Sequence, residues 1–175
     1  GFYPDAPKIP CVVGYEVAGR IDAVGSGVEP SRVGENVLAL TRFGGYSDVV
    51  VVPQKQATKR PPDLDARTAA AIPVNYLTAY EMLIEMGRVR PGDRVLIHQA
   101  AGGVGLAAID LCAMTGGVES FGTASASKHD FVRQRGLTHP IDYHSRDYEE
   151  EVRRLTNGRG VDLILDPIGG DSWRK

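Results

Sequence analysis

Apolar and polar positions change their rhythm once along the chain, and the change divides it. In the first part Val17, Gly19, Ile21 and Ala23 alternate with Arg20 and Asp22, which predicts a strand over residues 17–23 ended by the Gly25-Ser26-Gly27 turn. Asn36–Leu40 and residues 46–52 read as two further strands, separated by Gly44-Gly45, with Pro53 closing the second. Short strands with frequent glycine turns predict a barrel or sandwich. After Pro61-Pro62 the sequence turns rich in Ala and Leu. Asp63 or Asp65 is available as a cap, and the apolar pattern over 74–86 predicts a helix that Gly87 stops.

From Pro91-Gly92-Asp93 onward the pattern alternates between the two periods. It predicts strands over 94–98, 118–122, 140–143 and 161–165, and helices over 104–114, 128–134 and 147–156. Such alternation specifies an α/β domain, a doubly wound parallel sheet with helices on its faces. Two βαβαβ halves would supply six strands. Four are counted here before the chain ends, just after the turn at 167–170. With a first residue that is Gly1 rather than Met, this reads as a fragment. The boundary is expected between Ile72 and Thr78, giving a β-rich domain over 1–73 and an α/β domain over 74–175.

Composition narrows the partners. Twenty basic against 22 acidic side chains leave a formal charge of −2, so no protein-wide field for nucleic acid or an anionic membrane is expected. The longest apolar runs are too short for a transmembrane segment. Cys11 and Cys112 lie far apart in apolar stretches, which reads as reduced thiols in a cytoplasmic compartment. A small molecule is the expected ligand.

The chemistry concentrates where the strand at 94–98 runs into Gln99-Ala-Ala-Gly-Gly-Val-Gly105 and an apolar helix, the strand-turn-helix context of a dinucleotide fingerprint. Ala101, Gly102, Gly103, Val104 and Gly105 are the candidate cofactor-binding residues of this turn. Gly102 lets the backbone approach a pyrophosphate, Gly105 lets the helix pack closely on the strand, and the helix N-terminus offers free N–H groups. Ala100 stands where the general motif has its first glycine. About twenty residues on, where an acidic residue would bind the ribose of NAD, the chain reads Phe121-Gly-Thr-Ala-Ser-Ala-Ser-Lys128. Thr123, Ser125 and Lys128 offer hydroxyls and a cation to a 2′-phosphate, so NADPH is the expected cofactor. The alternative is that Ser125, Ser127 and Lys128 cap the next helix.

Gly14-Tyr-Glu-Val-Ala-Gly19, Val24-Gly25, Asn75-Tyr-Leu-Thr-Ala-Tyr80, Ala100 to Gly105, Lys128, Ile141-Asp-Tyr143 and Asp166-Pro-Ile-Gly-Gly170 together resemble the medium-chain dehydrogenase/reductase superfamily, in its zinc-independent quinone oxidoreductase branch. Residues 121–129 and 138–144 resemble the vesicle amine transport protein subgroup. The resemblance implies a partial GroES-like β-barrel ahead of an incomplete Rossmann sheet. It implies that Lys128 and Tyr143 hold the NADPH 2′-phosphate and that Thr78 faces the nicotinamide end. The Asp166 to Gly170 turn would lie at the cofactor's edge of the sheet, or be a plain turn. The implied reaction is hydride transfer from NADPH to a quinone or enone, with no catalytic side chain of the protein's own and a homodimer in the full-length parent. The chain alone would be inactive. A regulatory or structural NADPH-binding protein of the vesicle type and the enoyl reductase module of a larger synthase are the alternatives.

Zinc-dependent members of the superfamily carry His beside the Glu of a Gly-His-Glu segment, and a loop of four cysteines. Here Tyr15 stands at the His position and the cysteine loop is missing, so no metal is expected and Glu16 becomes a structural hydrogen-bonding residue. No two histidines have metal-ligand spacing, and His98 receives no role. Phe2, Tyr3, Tyr15 and Tyr46 either line a substrate cleft or fill the small domain's core.

Overall fold

A computed structural model describes residues 7–170 and residue 172. The chain divides into two compact units, Gly1–Val74 and Asn75–Lys175.

In the first unit, strands β1 (Glu16–Arg20), β2 (Asn36–Leu40) and β3 (Ala57–Lys59) form an antiparallel sheet in that order. Glu16 pairs with Leu40 and Val37 with Lys59. The alternation in β2 works as predicted, burying Val37 and Ala39. β1 stops at Arg20 rather than running to Ala23; of residues 21–23 only Ile21 keeps backbone bonds among the described residues, its N–H donating to the Glu35 carbonyl at 3.0 Å and its carbonyl accepting the Gly34 N–H at 2.8 Å. The predicted strand over 46–52 is corrected: this stretch joins no ladder, and Tyr46, Val49 and Val51 stand 80%, 76% and 97% exposed. Its period is that of a strand, but apart from the Tyr46 N–H, which donates to the Val13 carbonyl at 2.9 Å, no backbone bond is seen for it among the described residues. Pairing occurs further on, at β3. Helix α1 (Ala66–Ala70) is capped by Asp65, whose side chain accepts the Arg67 and Thr68 N–H groups at 2.9 and 3.1 Å.

Helix α2 (Pro73–Tyr80) continues into a π-helical turn over Glu81–Met86, where the Gly87 N–H reaches the Met82 carbonyl at 3.0 Å. Gly87 ends the helix at φ −77°, so its small size is needed for a different reason than a left-handed cap. A Cβ there would meet the Leu163 side chain at 2.7 Å and the Met82 carbonyl at 2.8 Å.

The second unit carries four parallel strands in the order β6-β5-β4-β7: β4 (Arg94–Ile97), β5 (Glu119–Thr123), β6 (His139–Ile141) and β7 (Leu163–Leu165). Helices α3 (Gly103–Thr115), α4 (His129–Gln134) and α5 (Tyr148–Leu155) make the crossovers. Successive residues of β4 face opposite ways. Val95 and Ile97 pack with Ala108, Cys112 and Val132 of α3 and α4, whereas Leu96 packs with Phe121, Ile141 and Val152 of α5. Helices therefore cover both faces, the doubly wound α/β arrangement expected from the sequence. The third and fourth strands are shorter than predicted, and Tyr143 lies in the loop beyond β6.

Candidate functional site

A cavity of about 520 Å³ opens in the second unit at the carboxyl ends of its strands, the edge at which doubly wound sheets bind ligands. Its wall is built from the turn after β4 (His98, Gln99, Ala101, Gly102), the end of β5 and the segment after it (Thr123, Ala124, Ser125, Lys128), and Tyr143, Tyr148, Ile168 and Ser172. Six of the ten sequence-predicted cofactor residues, Ala101, Gly102, Thr123, Ser125, Lys128 and Tyr143, thus share one wall.

The other four behave differently. Gly103, Val104 and Gly105 form the first turn of α3 behind that wall. Gly102 caps the helix with no side-chain hydrogen bond, so the first-turn N–H groups keep their capacity for an anion. The Val104 side chain packs into the core, and Gly105 serves close packing: a Cβ there would stand 2.3 Å from the Gln99 carbonyl oxygen and 2.7 Å from Ala100 Cα. A Cβ on Gly102 would meet that same oxygen at 3.2 Å, a milder contact that a shift of a few tenths of an ångström would relieve. Thr78 is exposed on α2 and is not among the residues lining this cavity.

Lys128 closes a 3-10 turn, Ala126–Lys128, at the start of α4. Ser125 precedes that turn without a side-chain cap bond, and its hydroxyl lies 3.4 Å from that of Ser127. The helix-capping alternative for Ser125 is therefore not what the side chain does. No hydrogen bond or ion pair engages the Lys128 ammonium among the described residues, and no Asp or Glu lies among the residues that line the cavity. Tyr143 is half exposed, its ring 4.2 Å from that of His144.

His98, to which sequence analysis assigned no role, is 3% exposed on the cavity wall. Its Nδ1 lies 3.2 Å from Thr123 Oγ1, and its ring meets Tyr148 edge-on at 4.7 Å. Burial pushes the imidazole pKa down, against an upward pull from Asp166. Asp166 itself is occupied within its own turn. It accepts the Ile168 and Gly169 N–H groups at 2.8 and 3.1 Å and the Ser172 hydroxyl at 2.5 Å. Burial pushes its carboxyl up, but these bonds outweigh it and hold the pKa below the usual carboxylate range. Tyr148 and Ser172 were likewise not singled out; they reach the wall only through the sheet order, which sequence spacing does not carry, whereas Ile168 belongs to the Asp166 to Gly170 turn that was expected at this edge.

The alcohol dehydrogenase GroES-like domain family matches residues 1–62, and the zinc-binding dehydrogenase family matches residues 103–175. The chain belongs to the medium-chain dehydrogenase/reductase superfamily. Over all 175 residues it is 49% identical to the synaptic vesicle membrane protein VAT-1 homolog of Danio rerio, of which it spans 36%. Among solved superfamily structures, the Escherichia coli quinone oxidoreductase complexed with NADPH superposes with a TM-score of 0.91 at 32% identity, over 99% of this chain and 53% of that one. The CurK enoyl reductase superposes with a TM-score of 0.87 at 36% identity, over 93% of this chain and 49% of that one. The chain spans less than half the length of the curated relatives it matches.

The zinc in the second family's description finds no donor set among the described residues. The Tyr15 ring packs against Phe43 at 5.0 Å, and the Glu16 carboxylate accepts the Val74 N–H at 2.8 Å. No group of three His, Cys, Asp or Glu among the described residues could hold a metal ion. Cys11 and Cys112 are free thiols, and burial pushes that of Cys112 up to about 11, which suits a packing role rather than a ligand or nucleophile. Tyr46 is exposed rather than part of a core, and Phe2 and Tyr3 lie outside the described residues. No helix among the described residues is long and apolar enough to cross a membrane.

Proposed function

We propose that this chain carries the NADPH-binding part of a zinc-independent reductase that delivers hydride to a quinone or an α,β-unsaturated carbonyl. The observation that supports it best is the Lys128 ammonium, unengaged among the described residues, on the same cavity wall as Ser125 and Tyr143 and with no carboxylate among the described lining residues. A cation and hydroxyls favour a 2′-phosphate there, whereas an acid would favour the ribose hydroxyls of NAD. The N-terminus of α3 would receive the pyrophosphate above Gly102. Bound NADPH supplies the hydride; the protein's own residues hold it in one orientation and surround it. Thr78 at the nicotinamide end, a homodimeric full-length protein and a reducing, cytoplasmic-type compartment belong to the same proposal.

Two other readings have support. The likeness to a protein described as a synaptic vesicle membrane protein favours an NADPH-binding regulator with little turnover. The likeness to CurK favours an enoyl reductase module. One experiment separates the three: the full-length protein is titrated with NADPH, and NADPH oxidation is then followed with quinones, simple enones and enoyl thioesters. Turnover with quinones or simple enones supports the proposal, turnover confined to enoyl thioesters supports the module, and binding without turnover supports the regulator. Absence of NADPH binding overturns all three.

A further inference from the structure

Gln99, between β4 and the glycine-rich turn, has φ +52°, a left-handed conformation that a residue with a Cβ adopts at a cost. Three hydrogen bonds surround it. The Gln99 carbonyl accepts the Gly102 N–H at 2.8 Å, the Gln99 N–H donates to Thr123 Oγ1 at 3.1 Å, and the next N–H, of Ala100, donates to the Thr123 carbonyl at 3.0 Å. Thr123 therefore grips two successive N–H groups of the turn, one through its side chain and one through its backbone.

The Thr123 hydroxyl is buried and has a single proton to place. Its oxygen already accepts from Gln99, and His98 Nδ1 stands 3.2 Å away. If Nδ1 carried the imidazole proton, the hydroxyl proton would face no acceptor recorded among the described residues, an unfavourable state for a buried donor. With the hydroxyl donating to Nδ1, the hydroxyl and Nδ1 are both satisfied. The imidazole proton is then on Nε2, and burial, which disfavours the imidazolium, keeps Nδ1 free to accept.

We propose that Thr123 is a positioning residue rather than a direct ligand: accepting from Gln99 and donating to His98 Nδ1, it locks the left-handed Gln99 and so fixes the glycine-rich turn in the shape that receives a dinucleotide's phosphates. The inference rests on the NADPH-binding reading and assigns within it a residue whose hydroxyl is engaged by Gln99 and His98. Only residues of the second unit take part, so the device is complete within it.

The test uses the full-length protein and NADPH as the probe. Thr123→Val keeps the shape and removes the hydroxyl, and is expected to weaken NADPH binding about tenfold, while Thr123→Ser, which keeps the hydroxyl, stays within about twofold of the original. Gln99→Gly in the Thr123→Val background is expected to recover part of the loss, because glycine adopts the left-handed conformation at little steric cost. In the unsubstituted protein the ¹⁵N shifts of His98 should show protonated Nε2 and unprotonated Nδ1; this arm needs no variant to fold. Equal NADPH affinity in the Val variant, equal losses in the Val and Ser variants, or a proton on Nδ1 would each overturn the inference while the binding reading stood. Failure of the unsubstituted protein to bind NADPH would overturn both.

Discussion

The Glu16 carboxylate accepts the Val74 N–H at 2.8 Å, joining the first residue of β1 to the first turn of α2. In this chain the acid of the Gly14 to Gly19 segment is a helix cap. Removing it as Glu16→Ala should cost about 1 kcal/mol of stability, the usual scale for a lost cap, while Glu16→Gln, which keeps an acceptor oxygen, should cost less. Urea denaturation of the three proteins checks the order.

The same bond bears on metal content. With Glu16 turned to a backbone N–H and Tyr15 packed on Phe43, purified full-length protein should contain no stoichiometric zinc, and a chelator should leave its melting temperature unchanged. Elemental analysis decides this; one tightly held zinc per chain would refute it.

Lys128 should decide cofactor choice. NADPH should bind at least about tenfold tighter than NADH, and Lys128→Ala should erode that difference by about 1 to 3 kcal/mol, the scale of a charge-assisted hydrogen bond. Calorimetric titrations of both nucleotides against both proteins measure it. A loss shared equally by NADPH and NADH would mean that Lys128 does not touch the 2′-phosphate.

Gly102 and Gly105 should fail in different ways. Gly105→Ala forces a Cβ against the backbone of Gln99 and Ala100 and should cost about 1 to 3 kcal/mol of stability. Gly102→Ala meets a single contact at 3.2 Å at an ordinary φ of −85°, so it should leave stability nearly intact and weaken NADPH binding instead. Melting temperature and dissociation constant, read together on both variants, separate packing from ligand approach.

His98 should make stability fall in mild acid. Its folded pKa lies below the ordinary value of 6.5 because burial penalises the charged ring. Above 6.5 neither state is protonated and the full stability is present. As pH falls below 6.5 the unfolded chain takes up a proton that the folded ring resists, and the loss is complete once pH passes the folded value. Asp166 and Glu119 also have lowered pKa values, from 3.8 and 4.5, so their losses begin at lower pH. Between about pH 7 and pH 5 the denaturation midpoint should therefore drop, and His98→Gln should flatten the drop.

The sequence by itself determined the doubly wound sheet. Alternation between periods of 2 and 3.6 marked its four strands and three helices, since each element must bury one face and the burial is written into residue spacing. It also marked the turn from Ala101 to Gly105 and the hydroxyls and cation from Thr123 to Lys128 as candidates, because the residue types that would suit a dinucleotide's phosphates are legible locally. Tertiary structure alone decided the rest. The stretch over 46–52 has a strand's period and yet joins no ladder among the described residues, because a ladder needs a partner strand that period does not supply. Thr123, picked for its hydroxyl, spends it on Gln99 and His98, and Tyr148 and Ser172 reach the cavity only because β7 lies beside β4 and α5 crosses the opposite face. Which way a hydroxyl points and which strand ends share an edge are set by contacts between residues far apart in the chain, and no local spacing encodes them.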